Sequence, residues 1–314
     1  MQLSAGKYRG MRRLADRQGR FKMTAVDQRP PIKNLIRERR GTAQAPWEDV
    51  AGFKELLIRE LQGESTAMLL DPHYAYPRGV TMLDPALGMI LTLEDSLFTE
   101  TPGGRLSAEI DDWSTEKIKR AGGDAVKVLT WYRPDADPAV CEAQQAFTAR
   151  IGDACRRYDL PFVFELLVYP LARDAEQTRD YVEMKTKHPD LVLDSVRAFA
   201  DPKYGVDLFK LESPIPASDL PEPGSEGAPQ AQALLRIGML RVVCHASGLT
   251  RVVVQDAAVR MFPVMFDKND ERRTASVVAG SSYDREMQTL RIDIPRGEGA
   301  VEFLIRTLPQ VFDN

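Results

Sequence analysis

Six stretches of this chain share one pattern, a near-continuous apolar run with an ionisable residue near its C-terminal end. FKMTAVDQR carries Asp27, AMLLDP carries Asp71, MILTLED carries Glu94, DAVKVLTWY carries Lys127, LPFVFELLVYP carries Glu165 and VDLFKLESP carries Lys210. Such runs are the mark of strands covered on both faces, which belong to parallel sheets with helical crossovers. They follow one another at roughly 20 to 45 residues, enough for a helix and two loops. Helical patterns fill the intervals: Trp47 to Gln62, Trp113 to Gly123 with a serine cap and a glycine stop, Asp137 to Pro161, and His188 to Pro202. Six strand–helix units are complete by Pro214. A chain of 314 residues with 43% hydrophobic content has room for the rest of a (β/α)8 barrel, which takes about 250 residues. The expectation is an α/β fold, one barrel domain over residues 1–314, with a segment from about residue 250 that the pattern does not place.

Charge and cysteine usage exclude several roles. A formal charge of -4 and a pI near 5.6 leave no basic footprint, so nucleic acid is not an expected partner. The basic stretch from Lys7 to Arg20 reads as a solvated face, since no apolar core of a targeting signal follows it. No run is long enough to span a bilayer, so no membrane partner is expected. Cys141, Cys155 and Cys244 lack CxxC spacing, and His73, His188 and His245 form no ligand motif. The reading is a reduced, cytoplasmic protein with no metal and no cofactor. Its acidic character permits a homo-oligomer.

In a (β/α)8 barrel the C-terminal ends of the strands converge on one mouth. Two lysines and two carboxylates gathered there would perturb one another. A second ammonium, Lys127, would disfavour protonation of Lys210 and leave a free amine to attack a carbonyl. Glu165, one strand away, would move protons as the carbinolamine forms and dehydrates, and Asp27 would hold a lysine or a substrate hydroxyl. Two plainer readings stand beside this one. Lys210 alone could point into solvent from an edge strand, and the four residues could form a buried ion-pair network that only fixes register. Asp71 and Glu94 are read as caps of a helix or loop and kept outside the catalytic set. His73, beside Tyr74, is read as a packing or hydrogen-bonding residue.

Five segments carry a family resemblance: AVDQR (Ala25 to Arg29), LLDPHYAYP (Leu69 to Pro77), WSTEKIKRAGGDAVKVLTWY (Trp113 to Tyr132), FTARIGDACRRYDLPFVFELLVY (Phe147 to Tyr169) and FADPKYGVDLFKLESPIP (Phe199 to Pro216). In their order and spacing the chain resembles the bacterial tagatose 1,6-bisphosphate aldolases, class I enzymes that work through a lysine Schiff base. The resemblance implies a (β/α)8 barrel that cleaves a ketohexose 1,6-bisphosphate to dihydroxyacetone phosphate and glyceraldehyde 3-phosphate without metal. It implies Lys210 as the Schiff-base lysine, Glu165 as acid and base, and Lys127 and Asp27 as their partners. It also assigns Gln28 and Arg29, and farther on Ser247, Gly248 and Gly280, to the phosphates of a small-molecule sugar phosphate. Ser281 stands where the family has arginine, and a hydroxyl cannot replace a bidentate guanidinium. The alternatives are an aldolase for another phosphorylated or sulfonated sugar, and a non-catalytic sugar-phosphate sensor on the same fold.

Overall fold

Within each apolar run the side chains alternate between the barrel interior and the helical layer, because successive strand residues face opposite sides. The computed structural model describes residues 3–17, 19–174 and 189–211, and the backbone of 281–284, 289–292 and 303–306. The chain enters through α1 (Ala5–Leu14) and continues through β1 (Met23–Ala25), α2 (Pro30–Arg40), α3 (Trp47–Leu61), β2 (Ala67–Leu70), α4 (Ala75–Gly79) and β3 (Gly88–Thr92). A short hairpin, β4 (Thr99–Thr101) and β5 (Gly104–Leu106), precedes α5 (Thr115–Arg120) and β6 (Ala125–Trp131). Then come α6 (Pro138–Arg157), β7 (Phe162–Leu167), α7 (Pro189–Phe199) and β8 (Leu208–Leu211). β1, β2, β3, β6, β7 and β8 lie side by side in that order in one 6-stranded sheet, and every pairing is parallel. These are six successive units of the expected barrel.

Both faces of the sheet are covered. Met68, Leu70, Leu91, Val126, Val128, Phe162 and Phe164 pack outward against Ile58, Phe147, Ile151, Cys155, Val196 and Phe199 of the helices. Ala67, Leu69, Ile90, Ala125 and Val163 face inward and close on Leu14 of α1. The charged residues sit one step above that inner layer. Asp27, Thr92, Lys127, Glu165 and Lys210 each lie two residues beyond an inward residue, Ala25, Ile90, Ala125, Val163 and Leu208 respectively. Period-2 alternation therefore stacks a polar layer on an apolar one at the C-terminal end of the strands.

The helix boundaries follow local chemistry. Ser114 caps α5 by accepting from Lys117 N–H, and Asp137 caps α6 by accepting from Ala139 N–H with proline following at the first helical positions. Asp71 acts as a cap, as expected: Oδ1 accepts from the His73 and Tyr74 N–H groups at 3.0 and 2.8 Å. It also pairs with Lys54, and both side chains are fully buried. Burial pushes the Lys54 ammonium down from its ordinary value. His73 packs edge-on to Tyr74, and its carbonyl accepts from Trp47 Nε1–H.

The basic N-terminal stretch departs from expectation. It forms α1 and lies across the bottom of the barrel, and Lys7 is only 5% exposed. Lys7 Nζ donates to Asp207 Oδ2 at 2.6 Å, and the same oxygen accepts from Phe162 N–H. A charge pattern with no flanking apolar core looked solvated, but its partner lies 200 residues away. Gly10 permits the contact, because a Cβ there would come within 2.5 Å of the Asp124 carbonyl. Near the C-terminus, β9 (Ser281–Asp284), β10 (Thr289–Ile292) and β11 (Phe303–Arg306) form an antiparallel sheet with β10 in the middle. Ser247, Gly248 and Gly280, along with Cys244, His188 and His245, lie outside the described residues.

Candidate active site

The polar layer is an ion cluster centred on Lys127. This lysine, on the inner face of β6, is 1% exposed, and its Nζ lies 2.8 Å from Asp27 Oδ2, 2.6 Å from Glu94 Oε1 and 2.9 Å from Glu165 Oε2. Glu165 turns its other oxygen to Lys210, whose Nζ donates to Oε1 at 2.5 Å. Strand register produces the bridge. Lys210 on β8 lies directly opposite Glu165 on β7, and Glu165 lies opposite Leu129, two residues beyond Lys127 on β6. Thr92, opposite Lys127 on β3, donates its hydroxyl to Asp27 at 3.0 Å.

The two lysines differ sharply in access. Lys127 is enclosed by carboxylates, whereas the Lys210 side chain is 40% exposed and open to a ligand. Lys127 thus reaches Lys210 through Glu165 and not as an isolated second charge. Burial pushes the Asp27 carboxyl up, but the Lys127 and Lys210 ammoniums outweigh it and hold Asp27 well below the usual carboxylate range. Glu94 goes the other way: burial pushes it up, and the attraction of Lys127 and Arg29 only partly offsets this. Opposed shifts in two carboxylates that share Lys127 give a site that can hold a proton on one oxygen while another stays ionised.

Glu94 corrects the sequence reading. It was set aside as a cap, yet it is one of three carboxylates on Lys127. The signal was present, since Glu94 keeps the inward parity of Ile90 and Thr92. What sequence could not supply was that the Glu94 side chain reaches Lys127 on the neighbouring β6.

A cleft opens beside Lys127, lined by Asp27, Gln28, Arg29, Glu94, Ser96 and Ser107, with Phe98 and Trp131 among its apolar walls. Arg29, the residue before α2, is buried, and its Nη2 donates to the Glu94 carbonyl at 2.9 Å. Gln28 and Arg29 therefore share this cleft, at the same mouth as the ion cluster. The wall formed by Phe98 and Ser107 flanks the β4–β5 hairpin, which sequence did not foresee. Arg105 of the hairpin lies between aromatic rings, 4.1 Å from the Phe98 centroid, 4.9 Å from Trp131 and 4.8 Å from Tyr169. Gly104 makes the seat possible, with φ 143 and its missing Cβ 2.3 Å from the Tyr169 hydroxyl. Among the described residues, no group of His, Cys, Asp or Glu side chains is arranged to hold a metal ion.

The DeoC/LacD family aldolase model matches residues 21–258. A tagatose 1,6-diphosphate aldolase of Listeria monocytogenes is 35% identical over 215 residues, 68% of this chain and 62% of that protein. Tagatose 1,6-diphosphate aldolase 1 of Streptococcus mutans is 33% identical over 215 residues, 68% of this chain and 65% of that protein. The chain thus spans less than two thirds of the length of these relatives. A solved fructose-bisphosphate aldolase from Plasmodium falciparum shares the fold, with a TM-score of 0.52 at 12% identity over 82% of this chain and 77% of that one. The family match covers all six parallel strands and the whole ion cluster, and on it the chain belongs to the DeoC/LacD family of aldolases.

Proposed function

We propose that this protein is a metal-independent class I aldolase, an aldehyde-lyase that cleaves a ketohexose 1,6-bisphosphate, tagatose 1,6-bisphosphate by resemblance, to dihydroxyacetone phosphate and glyceraldehyde 3-phosphate. The observation that carries the reading is the bridge of Glu165 between the enclosed Lys127 and the half-exposed Lys210. An amine nucleophile must shed a proton before it attacks, and the acceptor is already in contact with it. Lys210 gives a proton to Glu165, and its lone pair adds to the C2 carbonyl carbon while the carbonyl oxygen takes a proton. The carbinolamine then loses its hydroxyl as water, with a proton from Glu165, and an iminium remains. The iminium draws the electron pair of the C3–C4 bond, a carboxylate takes the C4 hydroxyl proton, and the aldehyde leaves. Protonation at C3 and hydrolysis of the imine return the ketone and Lys210. Asp27 and Lys127 hold Glu165 and the substrate hydroxyls in register throughout. Gln28 and Arg29 suit the phosphate remote from the carbonyl, where a guanidinium gives charge-assisted hydrogen bonds. Ser247, Gly248 and Gly280 are assigned to phosphate on the resemblance alone. We place the enzyme in the cytoplasm, on its cysteine usage.

Borohydride reduction in the presence of dihydroxyacetone phosphate tests the reading, because it converts an imine to a stable secondary amine. One adduct is expected, on Lys210, located by peptide mass. No adduct at saturating ligand rules out the Schiff-base mechanism.

A further inference from the structure

Lys127 has more carboxylates around it than its charge requires. Asp27 and Glu165 already lie within 2.9 Å of its Nζ, and Glu165 also pairs with Lys210, so Glu94 brings a third buried carboxylate to two ammoniums. A surplus buried carboxylate is costly unless its oxygens are all engaged. Glu94 Oε1 is engaged by Lys127 at 2.6 Å, but Oε2 is buried and has no hydrogen-bond partner among the described residues. The whole side chain is 4% exposed and lines the cleft. Arg29 repeats the pattern on the same wall: its Nη2 is fixed on the Glu94 carbonyl, while its buried Nε has no partner among the described residues. Among the described residues the cleft lining therefore includes an unused acceptor and an unused donor, both on side chains held by contacts at their other ends.

We propose that Glu94 binds substrate, accepting through Oε2 a hydrogen bond from a hydroxyl on the half of the sugar that departs as the aldehyde. The inference rests on the aldolase reading above. It assigns that half because Lys127, Glu94 and Arg29 line the cleft and Lys210 does not. A carbon chain joined to Lys210 at its carbonyl reaches the cleft only with its farther carbons, past Lys127, with the terminal phosphate toward Arg29. A polyol supplies the hydroxyl donor that Oε2 lacks. A buried acceptor that goes unpaired with any other ligand is also the strongest available basis for rejecting substrates without that hydroxyl.

Two readouts on Glu94→Gln separate this from a purely structural role. Gln keeps the shape and leaves Lys127 with two carboxylates. The first readout is borohydride trapping of dihydroxyacetone phosphate on Lys210, a ligand that stops at the third carbon and does not enter the cleft. The second is cleavage of tagatose 1,6-bisphosphate. Trapping is expected to stay within about 2-fold of the parent, while KM for cleavage rises about 10-fold or more with kcat little changed, the mark of lost uniform binding. An unchanged KM overturns the proposal. A parallel fall in trapping and cleavage also overturns it, since Glu94 would then act only through Lys127. Should Glu94→Gln fail to fold, Glu94→Asp, which withdraws the oxygen by one methylene, decides by the same criteria. A parent protein that neither traps nor cleaves sinks the aldolase reading, and this inference with it. A parent that does both, with a Glu94 variant indistinguishable from it, sinks this inference alone.

Discussion

Replacing Lys127 by Met removes the one cation shared by Asp27, Glu94 and Glu165 and nearly preserves the volume. Glu165 keeps Lys210, and among the described residues Asp27 keeps only the Thr92 hydroxyl as a direct contact. Breaking a buried pair by deleting one partner costs about 3–5 kcal/mol. Proton uptake sets a ceiling on that cost. A carboxylate with an ordinary value near 4 can be neutralised at pH 7 for about 1.4 kcal/mol per pH unit, so roughly 4 kcal/mol in all. In the parent, Asp27 titrates below its unfolded value, so its stabilisation is complete above about pH 4 and is lost only as pH falls through the depressed folded value. In the variant, burial acts on Asp27 with only the more distant Lys210 and the Thr92 hydroxyl to oppose it, so the sign is expected to reverse and the carboxyl to destabilise the fold increasingly as pH rises above about 4. Glu94 adds to this. It is raised in the parent, costs stability as pH rises through its folded value, and loses the attraction that partly offset the rise. The deficit of Lys127→Met should therefore be about 4 kcal/mol at pH 7 and shrink by about 1.4 kcal/mol per pH unit, to roughly 1 kcal/mol at pH 5. At about 2 °C per kcal/mol, Tm should lie about 8 °C below the parent at pH 7 and about 2 °C below at pH 5. Thermal unfolding of both proteins at several pH values between 5 and 8 measures this directly. A deficit independent of pH, or a variant as stable as its parent, would show that Lys127 does not carry the charge balance of the cluster.

Two further substitutions separate chemistry from architecture. Glu165→Gln keeps hydrogen-bonding shape but cannot carry a proton, so imine formation on Lys210 should slow by about 10²–10⁴-fold across the pH range, with no rescue at high pH. Rapid borohydride quenching against time gives the rate, and recovery in alkali would remove Glu165 from proton transfer. Lys7→Met strands Asp207, whose Oδ2 it pairs with at 2.6 Å, and should lower stability by about 3–5 kcal/mol. Trapping on Lys210, measured well below Tm, should be unaltered because α1 lies at the opposite end of the strands. Loss of trapping in a folded Lys7→Met protein would mean that the two ends of the barrel are coupled.

The sequence by itself determined the strands and which of their residues face inward. Period-2 alternation is a local property, and a residue such as Lys127, two places beyond Ala125, has its facing fixed by the chain around it. The same reasoning found α3, α5, α6 and α7, whose caps and stops are written in neighbouring residues such as Ser114 and Asp137. It also brought Lys210, Glu165, Lys127 and Asp27 to one mouth, because parallel strands must end together. Only the tertiary structure decided who touches whom. That Glu165 bridges two lysines depends on the register of β6, β7 and β8, and register is set by packing on both faces of the sheet. Glu94 joined the cluster because its side chain, two residues past the end of β3, reaches Lys127 on the neighbouring strand, a contact that no local signal announces. Lys7 was misread for the same reason. The energy of a buried charge depends on its partner, and here that partner, Asp207, is far away in sequence and adjacent only once the barrel has formed.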